Sequence, residues 1–311
     1  MEQTLTPCCG IGHRLSRNIP TAVYAISNSR LVHAKWDDIQ WNVLFNDTLQ
    51  IRQGRRTEEF FENGIPPDWA NSSLAWTEAD EKFSHVLYEQ LKSTTYAVYE
   101  REPKMLMEML LAQTIVKSLA ENLSPLVLSF LEPMREQFFD SDLHLCTHVR
   151  EGNGEFQTSY VERQMEMLPL LNSTLLNMIN FAKSRNVSKV SLFVAYDNIT
   201  AWEWFVENTP QEWHVVKPAK PPHRPSSGHW FEHGKVLDVA LTQLEKNEAM
   251  AEAVADVFAL GECDALFIPK YSSFSVIGIM MARADGRKVF FRETMFENST
   301  KFIKYPDKQG E

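Results

Sequence analysis

The apolar positions change their period partway along the chain. Near the start, the Gly-rich turn CCGIGHRL leads into Leu15, Ile19, Val23 and Ile26, which recur at three- and four-residue steps and predict a helix. The run Arg30–Lys35 (RLVHAK) then reads as a short strand, and residues 50–80, mixing charge, Gly and Pro, as surface loop with short helices. From Asp80 to Phe139 the pattern is helical, and the methionines and leucines of KMLMEMLLAQTIVKSLAENL read as core filling. After Asp140 five short apolar runs alternate with helical stretches: Leu143–Val149, Val190–Ala195, His214–Lys217, Ala265–Pro269 and Lys288–Arg292. That βαβ alternation predicts a parallel sheet in an α/β fold. The helix after the first strand carries Leu168, Leu171, Leu175, Ile179 and Ala182 on one face. The segment KPAKPPHRPSSGHWFEHG, with four prolines and no periodicity, reads as a long loop of the kind that carries function.

Composition narrows the picture. A chain of 311 residues is long enough for two domains, and the change of texture places them at 1–138 and 139–311. With 31 Lys and Arg against 41 Asp and Glu, the net charge of -10 argues against a surface that coats nucleic acid. Cys8, Cys9, Cys146 and Cys263 have no CxxC or zinc-like spacing, so free thiols are expected. The first residues lack the pattern of a signal peptide, and no apolar run reaches the ~18 residues of a membrane span. The expectation is a soluble protein, cytoplasmic as given, or luminal if it is the trimmed catalytic part of a longer chain with flanking domains. Seven Asn-x-Ser/Thr matches are read as coincidence under the first of these.

The most informative block is LCTHVREGNGE (145–155). A strand ending in His148-Val149-Arg150 and breaking at Glu151-Gly152 sets side chains at the carboxyl edge of a parallel sheet, where open α/β folds bind ligands. Arg150 there is suited to bridging two phosphate oxygens. The plain alternative is a surface arginine beside a core histidine. A second block, ADVFALGECDALFIPKYSSFS (255–275), reads as helix, strand, and a serine-rich start to another helix, which would aim backbone N–H groups and hydroxyls at an anion. Serines are also common as plain helix caps. Asp256 has the acceptor geometry for a guanine edge, and is otherwise an ordinary helix acid.

Three blocks in order, CGIGHRL, THVREGNGE and DVFALGECDALF…SSFS, resemble the α1,6-fucosyltransferase superfamily of inverting, GDP-fucose-dependent enzymes. The rhizobial nodulation branch is the nearest in pattern, since its middle block also reads HVR, one residue, then GNGE. The resemblance implies a GT-B architecture of two Rossmann-like domains facing across a cleft, with the sugar nucleotide held mainly by the second. It implies that His148 and Arg150 contact guanosine and pyrophosphate, Asp256 the guanine, and Ser272, Ser273 and Phe274 the phosphates. Gly10, Gly12 and His13 would lie in an amino-terminal loop facing the donor. Animal members carry a second arginine after the first, whereas this chain has Glu151. Under this reading no metal is required. Glu155 is the preferred base for the acceptor hydroxyl, with Glu151 as the other candidate, and Arg150 stabilises the leaving GDP.

Two further signals weigh less. His223, His229 and His233 crowd the Pro-rich segment, but no helix is evident to fix them for a metal. A covering loop with Arg224 and His229 as donor contacts is the expectation. Asp140-Ser141-Asp142 has the DxD form of metal-dependent glycosyltransferases, yet it precedes its strand and reads as a solvated turn. The partners expected are a sugar nucleotide and a glycan acceptor. Two rivals stay open: the same fold using GDP-mannose or a UDP-sugar, and a non-catalytic module binding a nucleotide or glycan.

Overall fold

The structure, a computed structural model of the chain, describes residues 2–3, 11–12, 15, 19, 33–34, 41–46, 103–138, 140–150, 160–197, 199–217, 242–269, 272, 274–284 and 287–291. Near the amino terminus, β1 (Glu2–Gln3) pairs in parallel with β2 (His33–Ala34), and Ile11, Gly12, Leu15 and Ile19 between them are helical. Among the described residues three helices follow: α1 (Trp41–Leu44), α2 (Pro103–Glu121) and α3 (Pro125–Glu136). The rest alternates strictly as β3 (Leu143–Val149), α4 (Tyr160–Ser184), β4 (Val190–Tyr196), α5 (Ile199–Asn208), β5 (His214–Val215), α6 (Gln243–Glu262), β6 (Ala265–Ile268), α7 (Ser275–Ala284) and β7 (Lys288–Phe291). All five expected strands are present. The third is shorter than its sequence run, and the fourth stops before Pro269, which has no N–H to give a ladder.

β3 to β7 form one sheet in the order β5-β4-β3-β6-β7, with every pairing parallel. The chain steps outward from β3 to β5, returns over the sheet in α6, and continues from β6 on the other side of β3. The strand order therefore reverses between β3 and β6.

A parallel sheet needs both faces covered, and strand alternation divides its residues between two cores. On one face Cys146, Phe193, Ala195, Leu266 and Ile268 pack with α6 and α7; on the other Leu145, Val149, Leu192, Val194 and Phe267 pack with α4 and α5. In α4 the expected apolar face is buried at Leu171, Leu175 and Ala182, with Ile179 partly buried, but Leu168 is 42% exposed. Leu168 sits at the margin of the buried arc, whose centre is filled by Met178. The first core extends to Ile11, Leu15 and Ile19 and to α2 and α3, so one apolar cluster spans the expected domain boundary at 138/139.

Local signals set the helix starts. Ser124 caps α3, accepting from the Val127 N–H at 3.2 Å, with Pro125 in the first turn where its missing N–H costs nothing. Thr242 and Glu245 form a reciprocal capping box at the head of α6. The half-buried Arg135 guanidinium forks onto Glu262 (Nε to Oε2, 2.9 Å), tying α3 to the end of α6, and this carboxylate holds the arginine more firmly in its charged form.

The expectation of free thiols fails at two positions. Cys146 on β3 and Cys263 just after α6 are joined as a disulfide, with Cα atoms 5.9 Å apart across a sequence separation of 117. Only the crossover brings them together, since α6 descends over β3 on the face that Cys146 shares. Non-reducing peptide mapping is expected to recover the Cys146 and Cys263 peptides as one linked species. Reduction is expected to lower the melting temperature, with about 4–5 kcal/mol at stake in the chain-entropy account of so long a loop. Full alkylation of both residues in the unreduced protein would contradict the pairing.

Candidate functional site

The helices that follow β3 and β6 go to opposite faces of the sheet, α4 to one and α7 to the other. The carboxyl ends of these two strands therefore border a crevice, the usual ligand position in an open parallel sheet. Below it the strands are pinned: the buried Thr147 hydroxyl donates to the Phe267 carbonyl at 2.7 Å.

His148 lies one residue further along β3, and alternation turns it to the α6 and α7 face. It is 4% exposed. Its Nδ1 is 2.9 Å from the Ser275 Oγ, at the first residue of α7, and its ring lies 4.8 Å from the Phe274 ring at an interplanar angle of 38°. The two sequence blocks singled out for anion binding are thus in direct contact. His148 is a buried, hydrogen-bonded histidine, as the plain alternative held, and it also stands at the crevice.

Ser272, in the turn between β6 and α7, is 8% exposed, and among the described residues its Oγ has no hydrogen-bond partner. Leaving a buried hydroxyl unpaired costs about 1–3 kcal/mol, so this atom is suited to a ligand oxygen. It precedes the start of α7, whose first N–H groups have no partner within the helix and favour an anion. Arg150 follows β3 directly and is exposed at the rim of the same crevice. The end of β3, with His148 and Arg150, and the turn with Ser272 that opens α7 border one opening, and these are residue types suited to a phosphate or diphosphate.

The amino-terminal block reaches this turn as well. Gly12 lies so close to Phe274 that a Cβ there would collide with the Phe274 backbone. Only glycine fits at this approach.

Asp256, on α6, stands toward the carboxyl end of the neighbouring strand β4. It keeps some surface, but its carboxyl is closely packed. Burial, and then the nearby Glu252 carboxylate, raise its pKa well above the usual carboxyl value. Tyr196, which ends β4 beside Val149, is held in its neutral form by burial and then by the charges of Asp256, Glu252 and Glu203. Asp256 and Tyr196 form a second locus next to the first. An ionised Asp256 could accept two N–H donors from one base edge.

Six expected site residues are thus described: Gly12, His148, Arg150, Asp256, Ser272 and Phe274. Gly10, His13, Glu151, Glu155, Ser273, Arg224 and His229 lie outside the described residues. Asp140 and Asp142 fall in the turn that enters β3, at the opposite end of the strand from the crevice. Among the described residues no group of three or more His, Cys, Asp or Glu is arranged to hold a metal ion, and no helix is long and apolar enough to cross a membrane. Sequence reasoning placed Ser275 in the serine-rich helix start without giving it a role of its own, and it passed over Tyr196, which emerges only from its pairing beside β3.

The raised pKa of Asp256 has a definite sign. Below the ordinary carboxyl range, about pH 4, the group is protonated in both folded and unfolded chains and has no effect. As pH rises through that range toward the raised folded value, the unfolded chain ionises first, so the native state loses stability. Asp256→Asn is expected to gain stability relative to the parent as pH increases from about 4 toward neutrality, read by urea melts at several pH values. A difference that stays constant over that range would refute this.

No family model and no curated protein matches the sequence. Among solved structures the chain is similar to NodZ α-1,6-fucosyltransferase soaked with GDP-fucose, with a TM-score of 0.48 and 13% identity over 90% of each chain. It is similar also to the fucosyltransferase NodZ from Bradyrhizobium, with a TM-score of 0.46 and 12% identity over 89% of this chain and 90% of that one. A third is NodZ α-1,6-fucosyltransferase co-crystallised with GDP, with a TM-score of 0.47 and 12% identity over 89% of each chain.

Proposed function

We propose that the crevice between β3 and β6 binds GDP-fucose and that the chain is a fucosyltransferase, moving fucose to a glycan hydroxyl with inversion at the sugar carbon and without a metal. The observation that carries this reading is the contact between the two blocks that resemble donor-binding motifs: the end of β3 lies against the turn that opens α7, beside the unpartnered Ser272 hydroxyl. Arg150 and the start of α7 take the diphosphate, with Ser272, Ser273, Phe274 and His148 around it. Asp256 takes the guanine edge, and its ionised form is stabilised by the two N–H groups it then accepts. Gly10, Gly12 and His13 border the donor from the amino-terminal side, with Arg224 and His229 covering it.

In the transfer, a carboxylate removes the acceptor hydroxyl proton while the sugar carbon becomes oxocarbenium-like and negative charge grows on the departing GDP. Glu155 is assigned as that base, with Glu151 as its rival. Arg150 meets the growing charge, where a positioned donor lowers the barrier most. The architecture proposed is GT-B, with 1–138 on the acceptor side and 139–311 holding the nucleotide.

The nucleotide is tested by thermal shift. At about a hundred times its dissociation constant, a ligand adds roughly 2.7 kcal/mol to native stability, so GDP is expected to raise the midpoint well above UDP at equal concentration. An equal or larger shift with UDP would overturn the guanine assignment. Arg150→Lys keeps one charge and loses the two-pronged fork. It is expected to lower GDP release from GDP-fucose in the presence of glycan acceptors by about 10- to 100-fold with an unchanged melting temperature. Full turnover in this variant would remove Arg150 from the mechanism, and a parent protein that binds GDP yet releases none from GDP-fucose would favour the non-catalytic rival.

A further inference from the structure

The seven Asn-x-Ser/Thr triplets have meaning only if the chain passes through a compartment that glycosylates proteins. Such compartments are oxidising. Disulfides persist in them and are rare in a cytosol that keeps thiols reduced. The disulfide between the buried Cys146 and Cys263 is a bond of that environment. A linked glycan is bulky and solvated, so its asparagine must face water in the folded protein. Asn122 fails this condition: its amide donates to the Ser118 carbonyl at 2.8 Å, and the serine of its triplet, Ser124, is the buried cap of α3. Asn46 turns the nitrogen that would carry the sugar inward, onto the Leu123 carbonyl at 2.9 Å. Asn172 is exposed on α4, but Thr174 is buried and donates its hydroxyl to the Leu170 carbonyl at 2.7 Å, so the helix hides that end of the triplet. Asn71, Asn198 and Asn298 lie outside the described residues.

The triplet Asn186-Val187-Ser188 is different, because both of its polar ends are exposed in the turn between α4 and β4. The Asn186 N–H donates to the Lys183 carbonyl at 3.0 Å and the Val187 N–H to the Ala182 carbonyl at 3.2 Å, the paired bonds that close a helix through a left-handed residue. Asn186 is that residue, at φ 55°. Val187 packs against the core beneath α4 and anchors the middle of the triplet. Asparagine suits a left-handed cap by conformation alone, but the cap asks nothing of Ser188. The turn also stands beside the amino end of β3, where the Asp142 N–H donates to the Lys189 carbonyl at 3.0 Å. That is the end of the sheet opposite the crevice, so a glycan there leaves the crevice open.

We propose that Asn186 is an N-glycosylation site and that the chain matures in an oxidising, glycosylating lumen. The co-reactant is an oligosaccharide carried on a lipid diphosphate. Asn186 Nδ2 forms a bond to the anomeric carbon, and the bond from that carbon to the diphosphate oxygen breaks. The lipid diphosphate leaves with the electron pair, and one Nδ2 proton passes to a base of the transferase. The modification is independent of what the crevice binds.

The test is made on protein isolated from its natural source, treated with peptide N-glycosidase in heavy-oxygen water and then digested. Mass spectrometry is expected to find the asparagine of the Asn186 peptide converted to aspartate carrying the heavy label, in molecules whose Cys146 and Cys263 peptides are linked. An Asn186 peptide recovered wholly unmodified would overturn the proposal, whether the two cysteines are linked or free. Ser188→Ala, produced in cells of the same source, keeps the left-handed asparagine and removes the acceptor triplet. It is expected to lose one glycan step in gel mobility, while the enzymatically deglycosylated protein melts at the same temperature as the deglycosylated parent. Ser188→Thr is expected to retain the step. A Ser188→Ala protein that keeps its full set of glycans would count equally against the site.

Discussion

The reversal of strand order beside β3 is the constraint on which the site depends. Parallel strands must be joined by crossovers, and crossovers that leave β3 and β6 for opposite faces cannot close the gap between them. The opening is therefore made by topology before any side chain is chosen. What the side chains add is chemistry at its edges: Thr147 clamps the strands just beneath it, and His148, Arg150 and Ser272 border it. The polar residues are affordable there because a large apolar frame, with α6 buried from Met250 to Gly261 except for a few positions, holds the strands fixed.

Electrostatically the crevice and its neighbour differ. Around β3 and the head of α7 the polar groups are those of His148, Arg150, Ser272 and Ser275. Around β4 and α6 they are acids, with Glu252 close enough to disfavour the charge of Asp256, and Asp256, Glu252 and Glu203 that of Tyr196. A ligand with an anionic end and an end rich in N–H groups would satisfy both at once. The guanine nucleoside diphosphate proposed above has that polarity.

Much of this was legible from the chain. The five strand runs stood out because a parallel sheet buries both faces of each strand and leaves short continuous apolar stretches such as LHLCTHV and VSLFVA. The serine-rich helix start and the strand-end arginine were visible because both are local. The features that stayed hidden are long-range. The pairing of Cys146 with Cys263 arises from the descent of α6 across β3, and nothing in the spacing of four cysteines encodes that path. The exposure of Leu168 depends on which arc of α4 the sheet claims, and periodicity alone cannot choose among neighbouring positions on a stripe. Ser275 looked like one more cap until His148 was found against it.

The collision that a side chain at Gly12 would make with the Phe274 backbone has a temporal consequence. During synthesis the segment with Ile11, Leu15 and Ile19 leaves the ribosome long before the turn at Phe274 exists. Those three apolar residues end with almost no surface in a core that α6 and α7 complete. The nascent chain must carry these three residues without that core until the later elements arrive, so their burial is a late, non-local event. Completion of the core under the crevice and burial of the first block then go together.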